Sequence, residues 1–443
     1  EREIFLDLRQ SDQAHALRYI FFAERGAKIP SHLKPEMTTI DHVAIIGGGT
    51  MGAAIAYAFL NAGAEVVVLE TDVDSISRAS TNIEALISTG LLLGRIDETE
   101  ANAHRNQLTL TTDYQDLGGV DLAIEAVFED GSVKQSVLQL LETVLRPDAV
   151  IATNTSYLDV NMLAGVLADP SRLVGLHFFA PAHIMKLLEI IKGEMASPRA
   201  LAMGYAVAKR LGKIPVVAGL CDGFIGNRIL ARYREAADTL LMDGCTPWDI
   251  DAAMVDFGYA MGPYEAQDLS GLDIAHANRR RQDGTRDPAR RYIPIADHVV
   301  TAGRLGRKTG AGWYQYPEDG GKDKDLVIET MILEAATSAG INRRTFTSSD
   351  IQNRLVLAMI NEAANILFEG IAATAADIDL VLVHGYGFPR WRGGLLYYAD
   401  QIGVDRLLAM LRMNAAEDPL VWQPSPVIIG CAESKISLAN WRV

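Results

Sequence analysis

Residues 42–70 read HVAIIGGGTMGAAIAYAFLNAGAEVVVLE, an apolar run, a glycine cluster, a helix-like stretch and a second apolar run. Gly47, Gly49 and Gly52 fill the three glycine places of G-x-G-x-x-G between a strand and a helix. Gly47 permits the tight turn, Gly49 lets backbone approach a pyrophosphate, and Gly52 lets the helix lie close on the strand. The helix N-terminus adds a positive field for the phosphates. Met51, Ala54, Ile55, Ala58, Phe59 and Ala62 recur on one side of the Met51–Ala62 stretch, the pattern of a crossover helix on a sheet. Glu70 follows Gly52 by 18 residues at the end of the run VVVLE. An acid there accepts from ribose hydroxyls and repels the 2′-phosphate of NADP, so the pattern points to NAD.

Outward from this unit, the runs DLAIEAV, AVIATN, LVGLHFF, LLEII and IPVVAG alternate with helical text. This predicts an α/β domain, a Rossmann-type doubly wound parallel sheet covered on both faces, over residues 38–220. Beyond Leu220 the text is helical and repeats itself: GNRILARYREAADTLLMDG…DIDAAMVDFGYAMGP from residue 226 is echoed by QNRLVLAMINEAANILFEG…DIDLVLVHGYGFP from residue 352. Two all-α domains are expected, 221–335 and 336–443. The second copy is expected to cover a face that would otherwise need a partner chain, which favours a monomer. Residues 1–37 read as a linker helix: one amphipathic helix between residues 4 and 25, with Ala14, Leu17, Ile20, Phe21 and Glu24 at helical spacing, then a linker. The stretch from Arg279-Arg280-Arg281 to Arg290-Arg291 reads as a solvated loop, with phosphate steering as the alternative.

The chain has 443 residues, 41 Lys plus Arg against 56 Asp plus Glu, and a formal net charge of −15. That balance argues against nucleic-acid or anionic-membrane partners. Apolar residues make up 49% and charged residues 22%, as in an ordinary globular protein. Cys221, Cys245 and Cys431 lie far apart without metal-ligand spacing, so no metal is expected and a reducing compartment is. No apolar run approaches the roughly 18 residues of a membrane span, and the first thirty residues lack a signal-peptide core. The start at Glu1 fits a processed or excised fragment, and the ending Asn440-Trp441-Arg442-Val443 is not a Ser-Lys-Leu-type address. The expectation is therefore a cytoplasmic protein, with the peroxisome as alternative.

Further along, polar residues stand at strand ends: Asn154-Thr155-Ser156, then His177 in LHFFAP, then Glu189 in LLEII. In an open parallel sheet the carboxyl ends of the strands carry the ligand, which places Ser156 and His177 where substrate and cofactor meet. Glu189 sits in an apolar run, where a carboxylate needs a partner. His177 is one candidate. Spacing alone leaves this open, since His177 is equally an edge histidine and Glu189 equally a partner of Lys186 or Lys192. Asn227 opens the first helical copy and reads either as a donor to a substrate oxygen or as an ordinary helix N-terminal residue.

The motifs GGGTMGAAIA, EAVFED with VKQ, TNTSYL, GLHFFAPAHIMKLLEIIKG, GFIGNRIL, GYAMGPYEAQDLSGLD and GRKTGAGWYQY together give the chain a resemblance to the L-3-hydroxyacyl-CoA dehydrogenase family over essentially its whole length. HFF-x-PAH, GF-x-GNR and HGYG-x-PR, with the opening QAHALRYIFFAER, resemble the dehydrogenase part of the peroxisomal-type bifunctional hydratase/dehydrogenase branch. The resemblance implies NAD-dependent oxidation of (3S)-3-hydroxyacyl-CoA to 3-oxoacyl-CoA in fatty-acid β-oxidation, with an acyl-CoA partner. It implies that His177 is the catalytic histidine, that Glu189 orients it, and that Ser156 and Asn227 hold the substrate's oxygen atoms. On the cofactor side it implies Gly47, Gly49, Met51 and Gly52 in the turn, Glu70 at the ribose, and Glu129, Lys134, Ser156 and Lys308 as further contacts. Three departures stand out: Ala180 where Asn or Ser is commoner, Tyr157 for a second Ser, and Cys221-Asp222 for Thr-Pro. They bear on substrate preference, and the alternatives are a free hydroxy-acid or sugar-acid dehydrogenase, or a non-catalytic crystallin-like NAD-binding protein.

Overall fold

A computed structural model describes residues 2–442; Glu1 and Val443, the outermost residues of the linker and C-terminal readings, lie outside the described residues. The chain divides into two compact units. One comprises Arg18–Asn227 together with Glu369–Tyr386; the other comprises the chain up to Leu17, Arg228–Phe368 and the chain from Gly387 onward.

The first unit is built on one eight-stranded sheet. Its strands are β1 (His42–Ile46), β2 (Glu65–Leu69), β3 (Leu108–Thr111), β4 (Leu122–Glu125), β5 (Val150–Thr153), β6 (Leu173–Phe178), β7 (Leu187–Ile191) and β8 (Ile214–Ala218). The order β3-β2-β1-β4-β5-β6-β7-β8, parallel from β3 through β6, is the doubly wound arrangement expected from the alternating text.

The sheet departs from the parallel arrangement at its far edge. β7 runs antiparallel to β6, and β8 runs parallel to β7. The reason is connection length. Only residues 179–186 join β6 to β7, too few for the dozen or so that a parallel crossover needs, whereas the Pro198–Arg210 helix separates β7 from β8. The reversal sets His177 directly opposite Glu189.

The Thr50–Asn61 helix is buried at every residue from Gly52 to Leu60, not on one side only. It lies between β1 and β2 on one flank and the Val73–Leu92 helix on the other, and its run of Gly and Ala lets both layers come close. A segment of the second sequence copy also belongs to this unit. The Ala375–Gly385 helix opens with a Thr374/Asp377 capping box and packs on β7 and β8, while Gly219 N–H donates to Ile371 O at 2.8 Å. The Asp12–Gly26 helix reaches the same helix, through Tyr19 Oη to Asp379 Oδ2 at 2.7 Å and His384 Nε2 to Glu24 Oε1 at 2.7 Å.

The second unit is helical. The long helices Gly226–Asp243, from Arg228 on, and Ser348–Phe368 open the two sequence copies. Arg228 Nε and Arg232 Nε reach the two oxygens of Glu362, at 2.6 and 3.2 Å, and tie these helices together. The basic stretch is largely ion-paired: Arg279 and Arg280 with Asp297, Arg286 with Asp283, Arg290 with Glu235, and Arg291 with Asp243. Among the described residues no helix is long and apolar enough to cross a membrane.

Candidate active site

Gly47 adopts φ +94°, a conformation that only glycine takes without strain. A Cβ at Gly52 would lie 1.8 Å from the Gly47 carbonyl oxygen, so this glycine is what allows the helix to sit on the turn. A Cβ at Gly49 would meet no heavy atom within 4 Å. Gly49 is the N-cap of the Thr50–Asn61 helix and offers no side-chain cap, leaving the first helical N–H groups for an outside acceptor. Glu70 Oε1 accepts from Gly48 N–H at 2.6 Å, and Asn82 Nδ2 donates to Gly48 O at 3.1 Å. Glu70 is therefore held beside the turn, and these residues fit a dinucleotide with its pyrophosphate on the helix N-terminus. Met51, half-buried, packs beneath on the hydrophobic core.

Next to the turn, Lys134 is fully buried, with Nζ 2.7 and 2.9 Å from the Glu125 oxygens and 3.5 Å from Glu129 Oε2. Thr153 Oγ1 and Val127 N–H also donate to Glu125. Lys134 is thus engaged by carboxylates inside the unit. Glu129 Oε1 takes Ser156 N–H at 2.8 Å, Tyr157 N–H at 3.0 Å and the Thr155 hydroxyl, so this carboxylate shapes the turn that presents Ser156.

His177 and Glu189 face each other across the β6–β7 ladder, and opposed residues of an antiparallel pair project to one face. His177 Nδ1 is 2.7 Å from Glu189 Oε2; Nε2 is 3.4 Å from Ser156 Oγ. An ionised carboxylate only accepts, so Nδ1 carries the ring proton and Nε2 presents its lone pair towards Ser156. Glu189 is fully buried, yet three donors meet it: His177 Nδ1–H, Ile225 N–H at 3.3 Å and Gly226 N–H at 3.2 Å. The Cys221–Gly226 bend aims those two amides. Within it Phe224 takes φ +51°, a conformation costing on the order of 1–3 kcal/mol for such a residue, and its buried ring lies 5.7 Å from that of His177. Phe179 packs on the imidazole at 4.5 Å.

Asn227 Nδ2 donates to Ser156 O at 3.5 Å. The structure thus brings together Ser156, His177, Glu189 and Asn227 in one unit. Lys186 and Lys192 do not take Glu189. Lys308 belongs to the helical unit, where its half-exposed ammonium lies 2.6 Å from Asp273 Oδ1. Two neighbours escaped the sequence reading. Glu125, read only as strand text, neutralises Lys134. Tyr386 Oη donates to Asn227 Oδ1 at 2.8 Å, and its only sequence signal is its place in HGYG-x-PR.

Residues 42–221 match the family described as 3-hydroxyacyl-CoA dehydrogenase, NAD binding domain. Residues 223–316 and 351–435 match 3-hydroxyacyl-CoA dehydrogenase, C-terminal domain. The peroxisomal bifunctional enzyme of Cavia porcellus is 39% identical over 95% of this chain and 60% of its own length. That of Danio rerio is 39% identical over 100% of this chain and 64% of its own length. The chain spans less than two thirds of the length of these relatives. Among solved structures, 3-hydroxybutyryl-CoA dehydrogenase from Escherichia coli K12 superposes with a TM-score of 0.75 at 25% identity, covering 90% of this chain and 99% of that one. The dehydrogenase part of multifunctional enzyme 1 from C. elegans gives 0.65 at 27% identity, covering 89% and 90%. With matches over residues 42–221, 223–316 and 351–435, the chain belongs to the 3-hydroxyacyl-CoA dehydrogenase family.

Proposed function

We propose that this chain oxidises (3S)-3-hydroxyacyl-CoA to 3-oxoacyl-CoA with NAD as the acceptor, as a step of fatty-acid β-oxidation. The observation that carries the reading is the His177–Glu189 pair with the Ser156 hydroxyl on the free imidazole nitrogen. NAD, when bound, supplies the nicotinamide that accepts the hydride leaving C3. Gly47, Gly49, Met51 and Gly52 hold its pyrophosphate end and Glu70 its ribose, while Glu129 supports the neighbouring Ser156 turn. Lys134 acts through Glu125 and Glu129.

His177 Nε2 takes the proton of the 3-hydroxyl as the C3–H electron pair departs, leaving a carbonyl at C3 and an imidazolium on the enzyme. Glu189 stabilises that imidazolium, and the amides of Ile225 and Gly226 donate to the carboxylate's other oxygen. Ser156 Oγ and Asn227 Nδ2 hold the oxygen on which charge develops.

The reading also includes a monomer, supported by residues 369–386 of the second copy lying on β7 and β8. The test of the activity is stereochemical. With NADH and acetoacetyl-CoA, the protein is expected to form (3S)-3-hydroxybutyryl-CoA. Formation of the 3R ester, or turnover of free acetoacetate but not its CoA ester, overturns the proposal.

A further inference from the structure

Asn227 carries an amide whose oxygen and nitrogen ends are nearly equal in shape. A half-turn about its terminal torsion exchanges them at little intrinsic cost, so something outside the residue must choose. Two neighbours do. Ser156 O is a carbonyl and only accepts, so it takes Nδ2; Tyr386 Oη, at 2.8 Å, donates to Oδ1.

Tyr386 is itself held in place. Its ring lies against Gly226, where a Cβ would come within 2.2 Å of a ring carbon, and meets Phe179 edge-on at 5.5 Å. Phe179 in turn packs on His177. Tyr386 ends the Ala375–Gly385 helix, its N–H bonded to Leu382 O, and that helix is fixed on β7 and β8.

We infer that Tyr386, from the second helical copy, is a positioning residue for the reaction: its hydroxyl locks the Asn227 amide with Nδ2 turned towards Ser156 and the reacting oxygen. The inference rests on the proposed dehydrogenase reading. Without the hydroxyl only the long 3.5 Å contact to Ser156 O orients the amide, and for part of the time it presents its oxygen to the developing negative charge, which repels it.

The test is a double-mutant cycle on the full chain, read with NAD and (3S)-3-hydroxybutyryl-CoA. Tyr386→Phe keeps the ring against Gly226 and Phe179 and removes only the hydroxyl. It is expected to lower kcat about tenfold, leaving the KM for NAD and the thermal unfolding midpoint unchanged. Asn227→Ala should cost about a hundredfold, and adding Tyr386→Phe to it should cost nothing more, because the group that the hydroxyl orients is gone. Wild-type kcat in Tyr386→Phe, or the same loss in both backgrounds, overturns the inference while the dehydrogenase reading stands. A wild-type chain that turns over no hydroxyacyl-CoA defeats the reading and the inference together.

Discussion

At residue scale the site depends on one carboxylate that never needs to touch substrate. In the proposed reaction Glu189 holds the proton on Nδ1 of His177 and so leaves Nε2 to act as the base. Glu189→Gln would turn an amide NH2 towards Nδ1, because Ile225 and Gly226 N–H keep the remaining oxygen. The ring would then carry its proton on Nε2. Kinetics of this variant are expected to show kcat lower by about a hundredfold with KM little changed. The glycines allow a separate check. Gly49→Ala meets no protein atom, so it should unfold at the wild-type midpoint yet bind NAD at least about tenfold more weakly by calorimetry. Gly52→Ala collides with the Gly47 carbonyl and should lose both stability and NAD binding. These glycines and Glu70 were legible from sequence because a turn under a pyrophosphate tolerates few residue types. The pairing of His177 with Glu189 was not, since residue spacing also allowed Lys186 and Lys192; strand register decides it.

At the scale of elements, the reversal of β7 was implicit in the eight residues between β6 and β7, a connection too short to return a parallel strand. The contribution of Tyr386 had no local signal, because 159 residues separate it from Asn227 and only the packing of the Ala375–Gly385 helix on the sheet closes that gap. The helical unit carries a pH dependence of its own. Burial raises Asp238 on the Gly226–Asp243 helix to about 6, opposed by Arg279 and by the Tyr264 hydroxyl, which donates to it at 3.0 Å. Burial likewise raises Asp251 on the Pro247–Phe257 helix to about 6, opposed by hydrogen bonds from Tyr264 N–H and Tyr314 Oη. A carboxyl whose folded pKa exceeds its unfolded value binds more protons when folded, so stability falls as pH rises between about 4 and 6. Asp238→Asn keeps an acceptor for Tyr264 and removes one titration. Urea unfolding at a series of pH values should show a slope for this variant shallower by up to about 1.4 kcal/mol per pH unit in that window. An unchanged slope would contradict the assignment.

For the whole molecule, the sequence repeat suggested that one chain supplies both helical copies. The placement of residues 369–386 in the sheet unit gives that idea a physical form, because a segment of the second copy already lies on β7 and β8. Light scattering with in-line chromatography is expected to return a mass near 48.2 kDa; a dimer mass across the concentration range would refute the monomer. The central claim is narrower, namely that His177 is the base of an NAD-dependent hydroxyacyl-CoA oxidation. The most direct measurement is absorbance at the NADH band after mixing the protein with NAD and (3S)-3-hydroxybutyryl-CoA or (3S)-3-hydroxydecanoyl-CoA, alongside folded His177→Ala. Our account predicts NADH formation with at least one ester and a loss of at least about a hundredfold in kcat for the variant. NADH formed equally fast by His177→Ala, or by neither protein while NAD still binds, would contradict it.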